Sequence, residues 1–179
     1  MGFINIENFE SQYSGKSLTD IKYFTVNESI TLLDANYLAI IDGGIELDFE
    51  GSKLVIAWNV DIELFDTANT SINEVFGDLE FYQIDSNSLP LGKSLLGRKL
   101  IGLKPKWEWF NNLDDELEPT GPKQYFLIEL ILFFEDQQSL QLATINYDLE
   151  KNEMKQASYD TVGELLIALN QILDITATN

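Results

Sequence analysis

The chain has 179 residues, neither cysteine nor histidine, and thirty acidic against eleven basic side chains, for a net charge of −19. The missing histidine removes the commonest general base and transition-metal ligand, so Ser-His-Asp triads and His-based metal sites are excluded. The missing cysteine removes disulfides, a thiolate nucleophile and zinc–thiolate sites.

A hydrophobic fraction of 45%, with 12% aromatic residues, supplies a core and argues against disorder. The length fits a single domain over 1–179, which buries roughly 70% of the surface its unfolded form exposes. Met1 to Glu7 carries no basic segment followed by an apolar one, so it does not read as a signal peptide. The longest apolar stretch, Phe126 to Phe134, is interrupted by Glu129 and is too short to span a bilayer. A cytoplasmic protein is the expectation.

In chain order, residues 20–26 read as a short strand, and Tyr37 to Ile41 as an apolar run stopped by the turn signature Asp42-Gly43-Gly44. Ile45-Glu46-Leu47-Asp48-Phe49 alternates apolar and acidic residues, as a half-buried strand does. Glu50-Gly51-Ser52 turns the chain, and Leu54, Ile56, Trp58, Val60, Ile62 and Leu64 then share one parity. The result is a hairpin with one apolar face and an acidic stripe of Glu46, Asp48, Asp61 and Glu63 in or near water. Thr70 or Ser71 caps a short helix through Ile72, Val75, Phe76 and Leu79.

Leu95 to Leu103 reads as a strand with the local basic pair Arg98-Lys99, followed by Trp107-Glu108-Trp109-Phe110 and the acidic loop Asp114-Asp115-Glu116-Leu117-Glu118. Tyr125 to Glu135 is apolar on both parities except at Glu129, which marks a central strand covered on both sides. Asp136-Gln137-Gln138 turns, Leu140 to Tyr147 returns, and a further hairpin turns near Glu150-Lys151-Asn152 and continues through Met154. Thr161 with Glu164 forms a capping box, and Leu165, Leu166, Leu169, Ile172 and Leu173 follow at helical spacing. The fold class expected is therefore α+β, with antiparallel sheets built from two similar hairpins and a C-terminal amphipathic helix packed on them.

The two hairpins echo one another. Asn59-Val60-Asp61-Ile62-Glu63 matches Asn146-Tyr147-Asp148-Leu149-Glu150, with one extra residue in the second returning strand. A duplication, with halves at roughly 37–85 and 95–160, predicts a β-bulge near Ala143–Ile145; chance likeness among alternating strands is the plainer explanation.

Gly15-Lys16-Ser17 and Gly92-Lys93-Ser94 end like phosphate-binding loops, but Glu10 and Asn87 stand where the required glycine belongs. Acidic pairs suit a glycosidase, yet thirty acids give no pair any distinction. Asp114, Asp115, Glu116 and Glu118 offer hard oxygens without the EF-hand spacing. No cofactor, metal or catalytic residue is assigned, and an enzyme is not expected.

The negative field repels phosphate backbones and anionic membranes, which argues against nucleic acid or membrane as direct partners and favours a basic protein. Trp107, Trp109 and Phe110 beside Asp114, Asp115 and Glu116 are the best contact candidates, since large aromatics supply binding energy and neighbouring acids steer a basic partner. One or both tryptophans also read as core anchors of an edge strand.

In being small, acidic, cysteine-free and α+β, the chain resembles the immunity proteins paired with bacterial toxins. That resemblance implies a non-enzymatic, protein-binding role in neutralising a basic partner. A structural or scaffold subunit with an acidic surface for solubility, and a carboxylate-based carbohydrate-active protein, are the alternatives.

Overall fold

The structure is a computed structural model that describes residues 8–27, 30–34, 36–59, 64–75, 79–113, 119–151, 153–160 and 162–176. Twelve strands, β1(Leu18–Thr25), β2(Ile30–Asp34), β3(Leu38–Ile41), β4(Gly44–Phe49), β5(Ser52–Asn59), β6(Leu64–Ala68), β7(Tyr82–Gln83), β8(Leu100–Leu113), β9(Pro119–Phe134), β10(Gln138–Glu150), β11(Glu153–Tyr159) and β12(Glu164–Leu169), are joined by two short helices, α1(Phe9–Tyr13) and α2(Ile72–Val75). One sheet has the order β6-β5-β4-β1-β7; the other runs β2-β3-β12-β10-β9-β8, with β11 also paired to β10. All the strand pairings are antiparallel.

Alternation in the hairpin β4–β5 places Ile45, Leu47, Leu54 and Ile56 on one face, where they meet Leu130, Leu132, Leu140, Leu142 and Ile167 of the second sheet in the main core. Phe9 and Tyr13 of α1 close one end of that core. The two-residue turn of β4–β5 holds Gly51 at φ +71, a conformation other L residues rarely adopt. Gly43 lies where the chain passes from β3 in one sheet to β4 in the other, and a Cβ on it would strike the Phe24 carbonyl.

Among the described residues the expected C-terminal helix is absent; the segment expected to form it contains β12, so the molecule is mostly antiparallel β and not α+β. Leu165 through Leu169 are all buried, which an amphipathic helix with one apolar stripe does not permit. A central strand does, because β12 lies between β3 and β10 and is covered on both faces. Leu165 and Ile167 join the main core, while Leu166 packs outside with Ile40, Ala143, Ile145, Ala157 and Ile175. Glu164 is the first residue of the strand, paired with Ile145, and Thr161 of the expected capping box lies outside the described residues.

The strand expected at Leu95 begins at Leu100, after a single 3-10 turn at Lys93–Leu95. β10 keeps an unbroken register against β12 from Leu140 to Ile145; its register shift falls further on, against β11, between Asp148 and Leu149.

Candidate protein-binding site

Cross-strand register decides what the acidic face of β4 does. Lys22 of β1 lies opposite Glu46, and Lys53 of β5 lies opposite Asp48. Lys53 Nζ reaches Asp48 Oδ1 at 2.5 Å and Glu46 Oε2 at 3.1 Å; Lys22 Nζ lies 3.3 Å from Asp48, 3.4 Å from Asp20 and 3.6 Å from Glu46. Glu46 is only 3% exposed, and its other oxygen accepts the Ile72 N–H at 2.6 Å, which ties α2 to the sheet.

Burial favours the neutral form of Asp48, but hydrogen bonds and charge from Lys53 and Lys22 outweigh it and hold the carboxyl below its ordinary range. The expected stripe in or near water is therefore corrected at Glu46, which is buried; Asp48 remains partly exposed but is paired with both lysines. Asp61 and Glu63 lie outside the described residues.

The tryptophan segment lies on a feature the sequence did not reveal. β8 pairs along β9 from Leu100↔Phe134 to Leu113↔Pro119, whereas β9 pairs with β10 only from Phe134 to Glu129. Ile145 pairs with both Glu164 and Tyr159, so β11 occupies the side of β10 that β9 has left. Beyond Glu129, β9 no longer pairs with β10, although Leu127 and Ile128 remain buried; from Phe126 outward, β8 and β9 continue as a two-stranded arm.

Trp107, at the arm's base, packs edge-on against Phe9 at 5.5 Å and belongs to the core margin. Trp109 is 49% exposed and lies directly across from Tyr125, itself 51% exposed. Lys123 Nζ sits 3.4 Å from the Trp109 ring centroid, a cation–π contact. Thus the two tryptophans, equal in parity, divide between core and surface because α1 covers only the first. Phe110 pairs with Gln124 through the backbone. Asp114, Asp115 and Glu116 fall within 114–118, outside the described residues.

The arm's base is clamped. Tyr159 Oη donates to Glu129 Oε2 at 3.0 Å, Gln141 Nε2 donates to Glu129 Oε1 at 2.7 Å, and Lys106 Nζ lies 3.7 Å from the Tyr159 ring centroid. Burial first, then the Glu129 and Asp174 carboxylates, push the Tyr159 hydroxyl far above its ordinary value, so it stays protonated as a donor. β8 forms an edge of its sheet, but Lys104, Pro105, Lys106 and three register shifts break the edge as a template for strand addition.

Among the described residues, no group of three or more acidic side chains is arranged to hold a metal ion, and no helix is long and apolar enough to cross a membrane. Compared with family models, curated proteins and solved structures, the chain matches none.

Proposed function

We propose that the chain is a non-enzymatic protein-binding module that captures a basic partner through the β8–β9 arm. The observation that carries this reading is the facing pair Trp109 and Tyr125, both about half exposed on an arm whose base is clamped. Tryptophan and tyrosine concentrate binding energy at interfaces, and a rigid platform limits the entropy lost on docking.

The net charge of −19 supplies the long-range attraction that brings a cationic partner to the arm. The immunity-protein resemblance retains its acidic, cysteine-free character as support and loses the α+β fold. A chain without cysteine suits a reducing cytoplasm as its place of action.

The test is capture from a lysate of the source cells on immobilised wild type and on the Trp109→Ala/Tyr125→Ala double variant. Basic proteins held at low salt by the wild type, and reduced about tenfold on the variant, are the expected result. Equal retention on both columns would remove the arm from the interface. No specific retention on either would favour the scaffold alternative.

A further inference from the structure

On the outer face of the second sheet lies an open groove of about 510 Å3 between the end of the β2–β3 hairpin, β11 and the segment after β12. Its volume falls in the range of small ligand sites. Leu33, Leu38, Met154 and Leu173 give it an apolar lining, and Asp34, Glu153 and Asp174 stand on its walls.

Those walls are held from behind. Gln141, fully buried, donates to the Leu173 carbonyl at 3.1 Å and accepts the Leu173 N–H at 2.8 Å. Asn170 donates to Gln138 at 2.7 Å and accepts the Ser139 N–H at 3.0 Å. The one lysine on the walls, Lys155, pairs with Glu150 at 3.5 Å. None of the three wall carboxylates forms an ion pair among the described residues. Asp34 uses one oxygen to accept the Asn36 N–H at 2.9 Å.

An apolar slot bordered by uncompensated carboxylates complements a cation on an aliphatic stem. The stem lies on leucine and methionine while the charged head reaches the walls. We infer that the groove receives a lysine or arginine side chain from an extended basic segment of the partner protein. This rests on the reading that the partner is basic, but it uses a surface separate from the Trp109–Tyr125 arm.

The probe is a capped acetyl-Leu-Arg-Leu-Arg-amide peptide titrated into the 15N-labelled full chain, with the glutamine-for-arginine peptide and 1,5-diaminopentane as comparisons. Arginine-dependent shifts concentrated at residues 153–157 and 169–174 are expected. Binding should weaken about tenfold in Asp34→Asn/Asp174→Asn. Shifts scattered over the acidic surface, equal binding of the glutamine peptide, or equal binding of the free diamine would each overturn the assignment. Because the probe is synthetic, its failure leaves lysate capture by the arm standing, and failure of that capture leaves the titration to be judged alone.

Discussion

Glu46 joins three elements at one side chain: Lys22 on β1, Lys53 on β5 and the first N–H of α2. Removing it leaves a buried N–H without that acceptor and deprives two partly shielded lysines of a partner. Glu46→Ala should therefore cost about 3 kcal/mol in urea unfolding, towards the lower end for a broken buried pair because Asp48 and Asp20 remain. Glu135→Gln, at an exposed turn, should stay within about 0.5 kcal/mol. Equal effects would mean that the cluster adds nothing to stability.

Two aspartates give opposite pH dependence. Asp48, with its carboxyl held down by lysines, contributes stability that is complete above the ordinary carboxylate range and is lost as pH falls through the lowered folded value. Burial raises Asp66 despite hydrogen bonds from the Thr67 N–H and Asn59, so its ionised form costs stability at neutral pH, and protonation on acidification relieves that cost. Asp66→Asn should stabilise the protein at pH 7, and the gain should shrink as pH falls through the raised value. A gain independent of pH would assign the effect to packing.

At the scale of elements, the arm and β12 show what a sequence can reveal. Strict alternation made β4 and β5 legible, and Glu50-Gly51 fixed where the chain turns. β12 resembles a helix in the sequence because an apolar run buried on both faces carries no period-two signal, and Leu165, Leu169 and Leu173 match a helical stripe. Gly163 held a clue visible only in three dimensions: a Cβ there would fall on the Ile145 carbonyl. Gly163→Ala should therefore cost about 3 kcal/mol, as overpacking against backbone does; a neutral result would show that β12 can shift away from β10.

The tryptophan segment was legible as a candidate, but its division was not, because that depends on Phe9, about a hundred positions away in the chain. Likewise, the ion pairs of Glu46 include Lys22 from a strand that is not next to β4 in sequence. Trp107→Ala should cost about 2 kcal/mol, less than a fully buried tryptophan, while Trp109→Ala should cost under about 1 kcal/mol. Acrylamide quenching should fall more in Trp109→Ala than in Trp107→Ala. The reverse order would exchange core and surface roles.

Across the whole molecule, the few lysines are unevenly used. Lys22 and Lys53 are committed to one cluster, Arg98 pairs with Asp136 and Lys155 with Glu150, so most carboxylates among the described residues form no ion pair. Raising NaCl from 20 to 500 mM should then lift the melting temperature by about 3 °C, since screened repulsion outweighs the weakened pairs. The same field should govern the encounter with a partner, while the arm governs how long the partner stays.

The most direct measurement is the association rate of the captured basic partner against ionic strength, with wild type and Trp109→Ala/Tyr125→Ala compared. The rate constant should fall more than about tenfold between 20 and 200 mM salt for both proteins, with the double variant differing chiefly by faster dissociation. An association rate indifferent to salt, or dissociation unchanged by the two substitutions, would contradict capture of a cationic protein by this arm.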